Sequence, residues 1–359
     1  MFSRKHYVLC IIGVGMFVLF LLKLYHTISF RWVRPRNVIL IGWDGVSRER
    51  LMVLLSQGKL PNVGRLIKQG KLIDIDIQRR TSTKPGWSEI LSGYGPEVTG
   101  IHDNYWYRAI PNGLTVFERL ENFFGKNNIV TMAFIGKSNN LGARAPKAHC
   151  SFEDLLPEEK DLLRQISPDK KARLEYMFEV DSAGREYINF PGEPFANAKK
   201  SMDIFRDGLG DYPFVERDAI KALDLMHRRR FFLFIHFQDP DNLGAQFGEQ
   251  SREVTDSLIA LDGALGRIIK KLHDCGIYQT TLVYLTSDHG FNKNTNMHSD
   301  APFVFLATND RHLIRKGRRI DIAPTILDAF GVNLKTLAPT LEGWPLNFVK
   351  PDEYSKRSY

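Results

Sequence analysis

Five short apolar runs separated by helical patterns constrain the fold of this 359-residue chain more than any other feature. They cover residues 37–42, 129–135, 231–237, 281–285 and 303–306, and are rich in β-branched and aromatic side chains. Runs this short and continuously apolar read as strands buried on both faces, as in parallel sheets covered by helices. Helical patterns lie between several of them: Leu51, Leu54 and Leu55, then Val63, Leu66 and Ile67 after a turn at Pro61. The longest spans 252–272, where Val254, Leu258, Leu261, Leu265, Ile268 and Leu272 recur at helical spacing. This alternation predicts an α/β fold with a mainly parallel central sheet sandwiched by helices. With 43% hydrophobic residues the chain can bury a large core.

The rhythm breaks over residues 140–215, which are rich in charge and interrupted by Pro146, Pro157, Pro168, Pro191 and Pro194. An insertion or cap is expected there, within a domain of residues 37–350 followed by a short tail, 351–359. Cys150 and Cys275 are either one pair or two buried thiols.

Residues 1–36 differ in character. Residues 7–22 carry no charge, and Leu24 and Tyr25 extend the stretch past Lys23 toward the roughly 20 residues of a spanning helix. No small-residue cleavage site follows Lys23-Leu24-Tyr25-His26, which favours an uncleaved single-pass anchor over residues 7–25 against a cleaved signal or a core helix. Two basic residues precede the uncharged stretch 7–22 and four follow it closely, a bias toward a cytoplasmic catalytic domain. The net charge is +8, but residues 1–43 hold six basic and no acidic residues, so only +2 belongs to the rest. That is an ordinary balance for a globular domain and excludes nucleic acid as a structural partner. No Gly-x-Gly-x-x-Gly or P-loop is present.

Open α/β sheets bind ligands beyond the carboxyl ends of their strands. The first run is followed by Asp44, the third by Asp239 and Asp241, and the fourth by Asp288 and His289, with His298 nearby. Carboxylates converging on one edge require a cation, and a mixed Asp/His set suits zinc, with manganese the alternative. One Asp alone reads equally well as a helix cap; the Asp-His pair with a further His sets this group apart. His102, His236 and His273 lack that context and read as surface or packed histidines. Thr83, in Thr81-Ser82-Thr83-Lys84-Pro85-Gly86-Trp87, precedes a helical stretch. A hydroxyl there faces the positive end of the helix dipole, a setting that suits a phosphate, with simple capping as the alternative.

In chain order, Asp44, Thr83 two residues before Pro85, the Asp239-Pro240-Asp241 loop, Asp288-His289-Gly290 and His298 resemble the alkaline phosphatase superfamily, in particular its type I phosphodiesterase/nucleotide pyrophosphatase-like branch. The resemblance extends over residues 37–346 and includes Leu60-Pro61-Asn62, Ser92-Gly93-Tyr94, Gly100-Ile101 and Asp321-Ile322-Ala323-Pro324-Thr325. It implies a phosphate-ester substrate, an extracytoplasmic catalytic domain and one or two zinc ions. One ion would be held by Asp44, Thr83, Asp288 and His289, the other by Asp241, a histidine four residues later, and His298. It further implies a phosphothreonine at Thr83 that water releases.

The chain departs from that pattern twice. Ala245 stands where the second ion's histidine is expected, leaving Asp241 and His298, with Asp239, His236 and Asp300 as the only candidate replacements. Gly86 stands where the branch carries an asparagine, and Lys84 is the candidate catalytic residue that would supply compensating charge. Sulfatases share the nucleophile position but require cysteine or serine there and an arginine at position 87, where this chain has Thr83 and Trp87. The expected activity is phosphoric ester hydrolysis. A non-catalytic relative that binds a metal or phosphorylated ligand is the alternative, on the strength of Ala245, and a phosphotransferase is a lesser one. Substrate choice is expected to lie in residues 140–215 and in Tyr105, Trp106 and Tyr107; the sequence leaves oligomeric state open.

Overall fold

Strand β1 (Asn37–Trp43) is buried at every position, and its side chains divide between two cores. Val38 and Leu40 pack with Trp87, Phe117 and Ile326 on one face, Ile39 and Ile41 with Leu51, Leu223 and Leu265 on the other. Burying such residues contributes about 1.5–3 kcal/mol each, so the two-sided apolar pattern commits β1 to the middle of a layered structure. The computed structural model describes residues 35–349 except 139, 156, 158–159, 161–176, 294 and 300.

β1 lies in an eight-stranded sheet with β2 (Lys71–Asp76), β3 (Val130–Ile135), β7 (Ile204–Arg206), β8 (Phe231–Phe237), β9 (Thr281–Thr286), β10 (Phe303–Thr308) and β11 (Gly317–Arg318). The order is β11-β2-β10-β9-β1-β8-β3-β7. Pairings are parallel from β9 through β7, whereas β10 runs antiparallel to both β9 and β2. The α/β architecture with a mostly parallel sheet therefore agrees with expectation; the run at 303–306 is its antiparallel member.

Helices α3 (Thr83–Ser92), α4 (Val116–Phe124) and α8 (Ile322–Phe330) cover one face. Helices α1 (Arg48–Ser56), α2 (Pro61–Gln69), α5 (Tyr212–Met226) and α7 (Arg252–Asp274) cover the other, and α6 (Asp239–Phe247) follows β8. Helix α7 begins where its sequence pattern places it, with Ser251 capping the Val254 amide. Between 140 and 215 the chain forms a separate antiparallel sheet of β4 (Lys147–Cys150), β6 (Glu186–Phe190) and β5 (Phe178–Val180), then returns β7 to the main sheet beside β3. Cys150 and Cys275 are free thiols. Among the described residues no helix is long and apolar enough to cross a membrane; the anchor expected over residues 7–25 and the tail 351–359 lie outside the described residues.

Candidate functional site

Parallel strands β1, β8, β9 and β3 end on one edge, which brings Asp44, Asp241, Asp288, His289 and Lys137 together. The turn after β1 depends on glycine. Gly45 has φ +74°, and a Cβ there would lie 2.8 Å from the Asp241 Cβ. Its amide donates to Asp288 Oδ1 (3.3 Å), while the Val46 amide donates to Ser287 Oγ (3.0 Å), tying the ends of β1 and β9. Helix α3 starts at Thr83 and aims its N-terminal end at the same place.

Asp44 is fully buried. His236 Nε2 (2.7 Å) and Trp87 Nε1 (3.3 Å) donate to its Oδ2, and Lys137 Nζ (3.1 Å) donates to Oδ1. Burial alone would favour the neutral acid, but Lys137 and His236 outweigh it and hold the Asp44 carboxyl far below its ordinary range. Lys137 shows the reverse balance: burial opposes its charge, yet Asp44, Asp241 and Asp288 raise its pKa above the ordinary lysine value. Its ammonium also donates to Asp241 Oδ2 (2.5 Å) and Thr83 Oγ1 (3.3 Å). Thr83 Oγ1 stands 3.4 Å from His289 Nε2.

The residues fit a metal ion on three counts. Asp241 Oδ1 and Asp288 Oδ2 are buried without a hydrogen-bond partner among the described residues, a costly state for carboxylate oxygens. His289 Nε2 lies 3.8 Å and 3.4 Å from them, near enough to share an ion with either carboxylate. Both candidate histidine ligands have Nδ1 beside a backbone carbonyl, His289 with Gly290 O (3.1 Å) and His298 with Thr81 O (2.6 Å); this favours the tautomer that leaves Nε2 free for a metal. Finally, burial and then Asp44 drive the Asp288 pKa well above the ordinary carboxylate range, a strain that a cation would reverse. Two overlapping trios have ligand geometry, Asp44/Asp288/His289 and Asp241/His289/His298.

Several expectations need correction. His236, read as a packed or surface histidine, is indeed packed, but its ring nitrogen also holds Asp44. Lys84 is neither solvated nor in contact with the Thr83 hydroxyl. It is 2% exposed, its ammonium donates to Asn104 O (2.9 Å) and Asn140 Oδ1 (3.3 Å), and it lies over the Tyr107 ring. Burial drives its pKa down to about 7, with Glu193 and Asp103 opposing. The lysine that reaches Thr83 is Lys137, which the sequence reading passed over although it follows a strand as Asp44 does. Asp239 accepts the Tyr212 amide (3.0 Å) and belongs to neither ligand trio; Asp300 lies outside the described residues.

Gly86 has a steric cause. A Cβ there would meet Asp288 Cβ at 2.7 Å and Arg319 Nη1 at 3.0 Å. Arg319, 1% exposed, donates to Asp288 O (2.7 Å), Arg80 O (2.9 Å) and Glu89 Oε2 (2.8 Å). It fills the volume an asparagine at 86 would need. Gly86→Asn is therefore expected to destabilise the fold by about 1–3 kcal/mol through overpacking, read as a lower urea midpoint at unchanged slope. A midpoint equal to that of the parent protein contradicts this account.

Beside the first turn of α3 lies a cleft of about 590 Å³ whose lining includes Arg79, Arg80, Pro85, His102 and Trp106. His102 stacks on Trp106 with ring centroids 4.0 Å apart. Tyr107, by contrast, is core.

Comparison with known proteins gives relatives in sequence and in fold. A 2,3-bisphosphoglycerate-independent phosphoglycerate mutase of Mycoplasmopsis synoviae is 29% identical over 150 residues, covering 38% of this chain and 28% of the mutase. Ectonucleotide pyrophosphatase/phosphodiesterase family member 1 of Mus musculus is 31% identical over 96 residues, covering 26% of this chain and 11% of that protein. The chain thus spans about a quarter or less of these relatives' length. Alkaline phosphatase from the Antarctic bacterium TAB5 shares the fold, with a TM-score of 0.51 and 14% identity over 84% of this chain and 99% of that one. A 2-O GAG sulfatase does so with a TM-score of 0.54 and 13% identity, covering 89% and 76%. The sequence pattern described as type I phosphodiesterase / nucleotide pyrophosphatase matches residues 38–345, and the chain belongs to that family.

Proposed function

We propose that this chain hydrolyses phosphate esters with the help of a bound divalent cation, using Thr83 as nucleophile. The observation that carries this reading is the position of Thr83 Oγ1, at the N-terminal end of a ten-residue helix and within 3.4 Å of both Lys137 Nζ and His289 Nε2. A phosphoryl group at that helix end meets the positive end of the dipole. Thr83 Oγ releases its proton to solvent and attacks phosphorus; the Oγ–P bond forms as the bond to the leaving alcohol breaks, and the leaving oxygen takes up a proton from solvent. Water then attacks the phosphothreonine, the Oγ–P bond breaks, and phosphate departs as Thr83 regains its proton. A divalent cation held by Asp44, Asp288 and His289 would act as a Lewis acid on this chemistry, and the Asp/His donor set suits zinc or manganese. Trp106, Arg79 and Arg80 line the adjoining cleft and suit an aromatic or anionic substituent on the ester.

The names of the relatives support phosphoryl chemistry and include mutases, while Ala245 supports a binding protein without turnover. One assay separates these readings. Full-length protein is incubated with bis(p-nitrophenyl) phosphate, stripped with a chelator, then reloaded. Turnover is expected to vanish on stripping and return with zinc or manganese. Failure to cleave any phosphate mono- or diester after reloading leaves the binding reading in its place, and product that appears only when an acceptor alcohol is added identifies a phosphotransferase.

A further inference from the structure

We propose that the Lys137 ammonium is the second cation of this site, standing where a two-ion centre would hold its other metal, so that the chain works with a single bound ion. The inference rests on the reading of Thr83 as nucleophile in a metal-dependent reaction.

Four observations carry it. Lys137 Nζ contacts Asp241 Oδ2, Asp44 Oδ1 and Thr83 Oγ1 at 2.5, 3.1 and 3.3 Å, placing its charge between the carboxylates expected to hold two separate ions. A metal bound to Asp241 Oδ2 on that side, at the usual ~2.0–2.2 Å, would overlap Nζ. Second, the two ligand trios share His289 Nε2, and a neutral imidazole has one accepting nitrogen. Only one trio can be complete. Without His289 the other is reduced to Asp241 and His298, and Ala245, exposed one helical turn beyond Asp241, offers no donor.

Third, the charges balance with one ion. Asp44, Asp241 and Asp288 face one ammonium, leaving an excess of two negative charges in a buried pocket, which a single divalent ion neutralises. Fourth, Lys137 is held in place by the backbone around it. The Gly136 amide donates to His236 O (2.9 Å) and the Gly208 amide to Lys137 O (3.2 Å), fixing the end of β3 against β8 and the chain after β7. Lys137 is then a catalytic residue by contact with the attacking oxygen: it holds Asp241, donates to Thr83 Oγ, and faces the charge that develops on the transferred phosphoryl group.

Metal stoichiometry tests this independently of turnover. Full-length wild type, Ala245→His and the double variant Lys137→Ala/Ala245→His are equilibrated with zinc and the bound metal counted. One ion per chain is expected for wild type and for Ala245→His, because the ammonium still holds the second position, and two for the double variant. Lys137→Met is expected to lower kcat by ~10²-fold or more, with little change in KM and one ion still bound. Two ions on wild type or on Ala245→His, one ion on the folded double variant, or undiminished turnover in Lys137→Met each overturn the proposal while the metal-dependent reading stands. Absence of any bound ion overturns both. If the Lys137 variants fail to fold, the counts on wild type and Ala245→His decide it, since residue 245 is exposed and tolerates change.

Discussion

Thr83→Ala is expected to lower turnover of an activated phosphodiester by ~10³-fold or more, the order seen when a covalent nucleophile is removed, while the protein remains folded. The hydroxyl's contacts with Lys137 and His289 are long, 3.3 and 3.4 Å, and hydrogen bonds of that quality contribute at most about 0.5–1.5 kcal/mol to stability. Loss of activity and loss of fold are therefore separable, the first by initial rates and the second by urea unfolding. Thr83→Ser retains the oxygen and is expected to keep measurable turnover and, on rapid acid quench, a phosphorylated chain detectable by mass. Wild-type turnover in Thr83→Ala would remove Thr83 from the chemistry and shift attention to a water as the attacking group.

Arg319→Ala is expected to have the largest effect on stability, about 3–5 kcal/mol, the usual result of leaving one member of a buried ion pair alone. The guanidinium holds Glu89 and caps the carbonyls of Arg80 and Asp288, one just before Thr83 and the other on a candidate metal ligand. Burial already raises the Glu89 pKa, with Arg319 the main opposing influence, so losing Arg319 raises it further. A carboxyl whose folded pKa lies above its unfolded value favours the fold at low pH and disfavours it as pH rises through the folded pKa. The variant's deficit should thus be larger at neutral pH and shrink as pH falls toward 4.5, the ordinary value for Glu. Adding Glu89→Gln should recover part of it at neutral pH. A deficit independent of pH and unmoved by Glu89→Gln assigns the effect to packing alone.

The strand and helix patterns that came from short windows of sequence agree with the structure. The run at 231–237 and helix α7 begin where their sequence patterns place them, because burial on two faces and helical spacing are properties of a short window. The run at 303–306 belongs to the sheet but is antiparallel, since direction depends on the connection and not on the strand's own residues. Asp44, Asp241, Asp288, His289 and His298 fall into ligand geometry because each follows or lies just beyond a strand whose end points to one edge.

The misses share a cause. Lys137 is 93 residues from Asp44 and 104 from Asp241, and His236 is 192 from Asp44. They meet because β8 lies between β1 and β3, an order that no local pattern specifies. A strand-end rule applied evenly would have flagged Lys137. His236 had a weaker signal, being one residue short of its strand's end, which made it a candidate replacement ligand but did not place it on Asp44. Arg319 carries no signal of its own in the sequence; its role comes from the three partners that meet around it.

The sequence by itself determined the layered α/β fold and the chemical kinds of residue at the strand ends, because backbone geometry and hydrophobic period act over a few residues. The tertiary structure alone decided which of those groups touch. It set Lys137 among the carboxylates, Lys84 into a separate polar niche, and Arg319 against the only residue at position 86 small enough to admit it. Contacts of that kind follow from strand order and close packing between distant segments, and a linear pattern does not encode either.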